Sequence, residues 1–139
     1  MDKKDIIAQC NAACENTLMQ TLAMEVVDVA TDYVCMRMPV NSKVHQPDGV
    51  LHGGASIALA ESTGSILAHM FLTDKSVQVR GLEIAGNHVR SVREGFIYAH
   101  ARFIHKGRTT QLIEIKIQDE EERLVCLSKL TTITLHSQS

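Results

Sequence analysis

The spacing of apolar residues divides the chain into two helical stretches and several strands. Apolar side chains recur near the helical period over residues 3–20, which predicts an amphipathic amino-terminal helix. Alternation is clearest at Ile113, Ile115 and Ile117, and it predicts a strand over 109–118 with one buried face. Further strands are predicted at 22–30, 33–40, 76–91, 95–105 and 123–135.

One long segment of small residues separates the second predicted strand from the third. Residues 53–72 are rich in glycine, alanine and serine, which predicts a thin helix that a sheet can approach closely. Gly54 and Gly64 weaken such a helix by up to about 1 kcal/mol each, so it is more stable buried than free. The order of elements indicates an α+β fold, with an antiparallel sheet around one long central helix.

Composition describes an ordinary globular chain. The 139 residues are 45% hydrophobic and carry a net charge of −2, which predicts one domain over 1–139 and argues against a partner nucleic acid. The absence of a signal segment and of a long apolar run leads us to expect a cytoplasmic protein with no membrane partner. The four cysteines lack Cys-x-x-Cys spacing and are expected to be reduced.

Glu61 is the first candidate for chemistry, because it is the only formal charge in the predicted central helix. A carboxylate among apolar residues is costly unless it is partnered or functional. Its neighbours on the same side of the helix are small and apolar, with one hydroxyl, that of Ser65, a turn away. We interpret Glu61 as a nucleophile or general base; the alternative is a glutamate on a solvated helix face.

The start of the same helix offers a second reactive group. Gln46 and His52 precede Gly53, where the predicted helix begins. The first amides of a helix lack internal partners and lie at the positive end of its dipole, so they suit an oxyanion forming on a carbonyl. An amide side chain, an imidazole and a carboxylate near such amides favour acyl-transfer chemistry. For His52 alone, helix capping or packing is the alternative.

The spacing of these groups predicts a homodimer. Glu61 lies eight residues beyond Gly53, a separation of about 12 Å along a helix axis. Groups that act on one carbonyl must both come within roughly 3–4 Å of it. We therefore expect two copies with antiparallel central helices, so that Glu61 of one meets Gly53 of the other in each of two shared sites.

These residues resemble the hotdog-fold acyl-CoA thioesterases. The resemblance runs from about residue 20 to Leu130-Thr131-Thr132 and is nearest to the group acting on 1,4-dihydroxy-2-naphthoyl-CoA and 4-hydroxybenzoyl-CoA. Phenylacetyl-CoA thioesterases are similar but typically carry aspartate where this chain has Glu61. The motifs that carry the resemblance are Gln46-Pro-x-Gly-x-x-His52-Gly53-Gly54, then Glu61 and Ser65, then Gly81-Leu-Glu-Ile and Asn87-His88-Val89-Arg90-Ser91.

The resemblance implies a role for each residue of the loop and helix. Glu61 would attack the thioester carbonyl or activate water, and the Gly53 amide would hold the oxyanion. Gln46 and His52 would orient the thioester, and Ser65, which is threonine in some relatives, would position the carboxylate or the water. It also implies dimers that often pair into a homotetramer. No cofactor is expected, because the coenzyme A ester is the substrate.

Basic residues are concentrated in the predicted strands. Residues 80–108 hold six Lys or Arg against two Glu, a local charge of +4 in a chain of net −2. A nucleotide with several phosphates suits such a surface, although ordinary strand-surface charge is the alternative. No metal site is expected, because His45 and Asp48 lack a further ligand at useful spacing. The candidates for coenzyme A binding are Arg80, Asn87, His88, Val89, Arg90, His105, Lys106, Gly107 and Arg108.

Two other functions remain open at this point. A hotdog hydratase or dehydratase would act on a related thioester without hydrolysing it, and a non-catalytic protein would only bind acyl-CoA. The resemblance favours hydrolysis of an aromatic or other cyclic acyl-CoA to the free acid and CoA. A place in menaquinone biosynthesis and a general role in clearing CoA esters both fit it.

Overall fold

The computed structural model describes residues 1–72, 74 and 76–136, and the last predicted residues of the domain, 137–139, lie outside this part. The described chain forms an antiparallel sheet in the order β1-β2-β4-β5-β6-β3 with one long helix against it. The α+β architecture expected from the sequence is therefore confirmed. The elements are α1 (Lys3–Ala13), α2 (Leu18–Thr21), β1 (Glu25–Ala30), β2 (Tyr33–Pro39), the 3-10 turn Ser42–Val44, α3 (Gly53–Phe71), β3 (Val77–His88), β4 (Phe96–Lys106), β5 (Thr110–Gln118) and β6 (Leu124–His136).

The amino-terminal helix predicted over 3–20 is two helices. The chain turns after α1 through Asn16, whose φ of 61° lies in the left-handed region that asparagine tolerates. The Thr17 side chain then accepts a hydrogen bond from the Met19 N–H and caps α2. The strand predicted at 22–30 also begins later, at Glu25, because Ala23 has a φ of 59°.

The core lies between α3 and the concave face of the sheet. Alternate residues of β5, namely Ile113, Ile115 and Ile117, are fully buried. α3 packs against β2, β3, β4, β5 and β6, and it buries Leu59, Leu67 and the small residues between them. Burial of such side chains is the main source of stability in a domain of this size.

Gly64 allows a close approach between α3 and the sheet. A Cβ atom at this position would lie 2.7 Å from Leu130 Cδ2 and 3.3 Å from Ile115 Cδ1. Leu130 and Ile115 are both fully buried, so neither can move aside easily. The glycine that weakens the isolated helix is thus what lets the helix sit on the sheet.

β3 forms one edge of the sheet and pairs with β6 only. Its twelve residues are mostly exposed, and a β-bulge between Gly81 and Glu83 leaves Leu82 unpaired and 59% exposed. Long exposed edge strands are usually covered in native proteins, because their free backbone groups can pair with another chain.

Replacing Gly64 by valine should destabilise the fold by about 1–3 kcal/mol through overpacking against Leu130 and Ile115. Chemical denaturation at a fixed protein concentration measures this loss. Ser62→Val is the matched control, because it places the same β-branched side chain on the half-buried side of α3. Equal stability of the two variants would contradict the packing argument.

Candidate active site

The loop before α3 is fixed by backbone hydrogen bonds. The N–H groups of Gln46, Leu51 and His52 donate to the carbonyl oxygens of Val50, Val92 and Val44 at 2.8 Å each. His52 is the N-cap of α3, and its Nδ1 accepts a hydrogen bond of 2.8 Å from the Gly54 N–H. In the protomer, His52 thus acts as a helix cap, which was the alternative to a chemical role for this residue. Because Nδ1 accepts, Nε2 carries the proton of the neutral ring.

The Gly53 amide is available at the start of α3. As the first residue of the helix it has no intrahelical acceptor, and no acceptor for its N–H is found among the described residues. His88 lies against this glycine, since a Cβ atom at position 53 would be 2.9 Å from the His88 Nε2. Glycine therefore leaves room both for the imidazole and for a substrate carbonyl approaching the amide.

A cavity of about 380 Å³ joins the loop, the helix start and the end of β3. It brings together two of the predicted catalytic residues, Gln46 and Gly53, and three predicted coenzyme A residues, His88, Val89 and Arg90. Gln46 is half-buried there and donates from Nε2 to Asp48 Oδ1 at 2.7 Å. The remaining lining residues are Val50, Leu51, Ser56, Ser91 and Val125.

Glu61 lies two turns further along α3 and outside this cavity. Its side chain is exposed and has no hydrogen bond or ion pair with a described residue. It lies beside β3, because a Cβ atom at Gly81 would be 3.1 Å from Glu61 Oε2. One unbroken helix separates Glu61 from Gly53 by about 12 Å, so a single protomer does not bring the two groups together.

Ser65 follows Glu61 by one turn and lies on the side of α3 that faces α1. Its backbone oxygen accepts a hydrogen bond of 2.7 Å from His69 Nδ1. No hydrogen bond joins the side chains of Ser65 and Glu61 among the described residues. Ser65 borders a second cavity, which lies in the groove between α1 and α3.

The predicted basic surface is divided between the two ends of the sheet. Arg90 follows β3 at the end near Gly53, whereas Arg80 lies near the start of β3, about 30 Å away in extended chain. The Arg80 end of β3 lies next to the β4–β5 turn. Thr134 of β6 pairs with Val79 of β3, and its Oγ1 donates a hydrogen bond of 2.9 Å to the Arg108 carbonyl in that turn. The predicted residues at that far end are Arg80, His105, Lys106, Gly107 and Arg108, while Asn87 directly precedes His88.

Two cations of this surface already have partners in the protomer. Lys106 Nζ lies 3.0 Å from Asp32 Oδ1 and 4.6 Å from the centre of the Phe71 ring. Arg102 stacks over the Tyr33 ring at 4.2 Å. Arg90, in contrast, has no hydrogen bond or ion pair with a described residue. Arg90 is therefore the free cation of the cavity.

Two strand glycines adjoin the site. The sequence motif contained Gly81 but gave it no role, and Gly86 was not singled out. Gly81 is in contact with Glu61, and a Cβ atom at Gly86 would lie 2.5 Å from Ile57 Cδ1 on α3. Glycine inside a strand often marks a close approach of another segment, so their positions in the predicted strand were the available signal.

The residues that the structure describes contain no group of three or more His, Cys, Asp or Glu side chains that could hold a metal ion. None of their helices is long and apolar enough to cross a membrane.

Comparison with known proteins identifies the class. Residues 48–126 match the family model of the thioesterase superfamily, so the chain belongs to that family. A thioesterase from Haemophilus influenzae has the same fold, with a TM-score of 0.92, 38% identity and coverage of 96% of this chain and 92% of that one. The chain is therefore a hotdog-fold thioesterase, which confirms the family, fold and reaction class that the motifs implied.

Two relatives of named activity are similar over nearly the whole chain. A 1,4-dihydroxy-2-naphthoyl-CoA hydrolase from Escherichia coli is 41% identical over 133 residues, which cover 96% of this chain and 97% of the relative. A protein of the same name from Listeria monocytogenes is 44% identical over 114 residues, covering 82% of this chain and 92% of the relative.

Replacement of His52 should separate capping from chemistry. His52→Ala removes the acceptor for the Gly54 N–H and should cost about 1 kcal/mol of stability, whereas His52→Asn restores an N-cap acceptor and should keep it. Thermal or chemical unfolding of both variants measures this difference. If both unfold like the wild type, the cap contributes nothing. If turnover falls in both, the imidazole acts beyond capping.

Proposed function

We propose that this thioesterase hydrolyses an aromatic acyl-CoA to the free acid and CoA, in an active site shared by two protomers. The names of the relatives from E. coli and L. monocytogenes support an aromatic acyl group and a substrate of the menaquinone pathway. The observation that carries the proposal is the free Gly53 N–H, which shares a cavity with Gln46 and Arg90 while Glu61 lies out of reach.

The second protomer follows from the distance between Gly53 and Glu61. Two edge strands β3, paired antiparallel about a two-fold axis, would continue the sheet and place the two α3 helices side by side in opposite directions. The exposed Leu82 would be covered in that interface. Glu61 would then approach Gly53 of the partner subunit, which lies across the axis. We expect a homodimer as the minimal active unit and a homotetramer as the complete assembly.

Each group of the site has one role in the proposed reaction. Glu61 either attacks the carbonyl carbon and forms an anhydride that water later opens, or takes a proton from a water that attacks. In both routes, the Gly53 N–H stabilises the negative charge on the carbonyl oxygen until the carbon–sulfur bond breaks. His52, whose Nε2 carries the proton, and Gln46 orient the thioester. In the first route the CoA thiolate leaves and is protonated from solvent, and the water that opens the anhydride releases the acid and regenerates the Glu61 carboxylate. In the second route Glu61 passes the proton it took from water to the departing thiolate.

Coenzyme A fits the basic surface better in the dimer than in the protomer. In the protomer, Arg90 and His88 lie at one end of β3 and Arg80 near the other. Antiparallel pairing of two β3 strands would bring Arg80 of the partner subunit towards the Arg90 end. The two halves of the basic surface would then face the same phosphates.

Glu61→Gln keeps the shape of the side chain but cannot act as a base or nucleophile. We expect kcat to fall by about 10²-fold or more, measured as release of free thiol from a panel of aromatic and aliphatic acyl-CoAs. Glu83→Gln, an exposed carboxylate on the neighbouring strand, is the control and should turn over normally. Normal turnover by Glu61→Gln would remove this carboxylate from the mechanism. Formation of enoyl-CoA in place of thiol would favour the hydratase.

Gly53→Pro removes the proposed oxyanion donor with little change to the backbone, but its Cβ would lie 2.9 Å from His88 Nε2 and must displace that imidazole. Gly53→Ala adds the same Cβ and keeps the N–H, so it is the reference for the loss of the donor. Proline is favoured at the first position of a helix, and His52, with φ −69° and ψ 129°, has the extended conformation required before proline. We expect kcat to fall about 10²–10³-fold while the protein stays folded.

Co-expression of Gly53→Pro with Glu61→Gln then tests whether the site is shared. A mixed dimer contains one site with both native groups, so the mixture should recover about a quarter of wild-type activity. If Glu61 and Gly53 serve the same site from one protomer, no activity returns.

A further inference from the structure

Gln111 is a buried amide near the start of β5, and the proposed reaction does not use it. Its residue is only 1% exposed, and a buried glutamine is costly unless its polar atoms are paired. Its Nε2 donates to the Gly107 carbonyl oxygen at 2.9 Å and to Thr134 Oγ1 at 3.2 Å. Its Oε1 accepts a hydrogen bond of 2.7 Å from Thr132 Oγ1, which is fully buried. Because donors and acceptor are all engaged, the amide has one fixed orientation.

The β4–β5 turn is attached to this network through three successive carbonyl groups. The Gly107 carbonyl accepts from Gln111, and the Arg108 carbonyl accepts from Thr134 Oγ1 at 2.9 Å. The Thr109 carbonyl accepts from the Thr134 N–H at 2.8 Å. All three carbonyl groups of the turn are therefore held towards Gln111 and β6.

The direction of these carbonyl groups determines the direction of the N–H groups. In a trans peptide the C=O of one residue and the N–H of the next point in opposite directions, so the N–H groups of Arg108 and Thr109 point away from Gln111. Neither N–H has an acceptor among the described residues.

The side chain of Arg108 adds a charge to these free N–H groups. It is exposed and forms no hydrogen bond or ion pair with the part of the chain that the structure describes. Two unpaired N–H groups and one guanidinium on the same turn suit the oxygen atoms of a phosphate group.

The place of the turn in the proposed dimer matches such a ligand. The turn lies at the Arg80 end of β3, because Thr134 pairs there with Val79. Antiparallel pairing of two β3 strands would bring it towards the Arg90 end of the other copy, where coenzyme A is proposed to bind. The inference below rests on that proposed function.

We propose that Gln111 and Thr134 are positioning residues for coenzyme A. By holding the carbonyl groups of the β4–β5 turn inwards, they turn the N–H groups of Arg108 and Thr109 towards a phosphate group of the nucleotide. The buried amide contacts neither the thioester nor the nucleotide. Its loss therefore affects binding of the nucleotide and not cleavage of the carbon–sulfur bond.

Gln111→Met tests this role, because methionine has a similar length and packs well in a core but donates no hydrogen bond. We expect KM for benzoyl-CoA to rise about tenfold with kcat nearly unchanged. S-benzoylpantetheine carries the same acyl group without the nucleotide, and its kcat/KM should stay at the wild-type value. An unchanged KM for benzoyl-CoA, or an equal loss of kcat/KM for both substrates, would overturn the proposal.

The matched control is Gln118→Met. Gln118 is a half-buried glutamine at the other end of β5, and its side chain has no hydrogen bond with a described residue. This variant should hydrolyse both substrates like the wild type. A rise in KM for benzoyl-CoA as large as that of Gln111→Met would contradict a specific role for Gln111.

Thr134→Val tests the second positioning residue. Valine keeps the shape of threonine but lacks the oxygen that joins Gln111 to the Arg108 carbonyl. The same selective rise in KM for benzoyl-CoA is expected. Thr131→Val is the control, since Thr131 is a half-buried threonine of β6 whose side chain has no hydrogen bond with a described residue. Equal KM values for the two variants would overturn the role of Thr134.

Binding of CoA alone separates this inference from the proposed mechanism. Calorimetric titration should show that Gln111→Met raises the Kd of CoA about tenfold. If Glu61→Gln retains turnover while Gln111→Met weakens CoA binding, the mechanism fails and the positioning role stands. If Glu61→Gln is inactive and Gln111→Met binds CoA like the wild type, the mechanism stands and the positioning role is overturned.

Discussion

The close contact between α3 and the sheet positions the carboxylate and the first helix amide of the site. Gly64 lets the helix rest on Leu130 and Ile115, and Gly86 accepts the side chain of Ile57 in the same way. With the helix held at this distance, Glu61 lies against Gly81 of the edge strand, and the start of α3 meets the end of β3 at His88. Larger side chains at these glycines would move the helix, and the carboxylate and the first amide would move with it.

The same rigid helix keeps the carboxylate and the first amide apart within one protomer. An unbroken helix cannot shorten the distance between Gly53 and Glu61, and for this reason the proposed mechanism uses a second copy. The exposed edge strand and the divided basic residues point to the same solution. β3 is an edge strand of the protomer, and the antiparallel pairing proposed for it would cover that edge and bring the two groups of basic residues together.

The sequence predicted the elements well where one local pattern dominated. The alternation at Ile113, Ile115 and Ile117 predicted β5, and the small-residue segment predicted α3 to within one residue of its end. The break after α1 was missed because Asn16 departs from helical geometry without interrupting the apolar spacing.

At the site, short-range groupings could be predicted and long-range ones could not. Gln46, His52 and Gly53 are close in sequence, and the loop keeps them close in space. Arg80 and Arg90 are also close in sequence, but an extended strand places them about 30 Å apart. The approach of Gly81 to Glu61 depends on the packing of two distant elements, which no local pattern encodes.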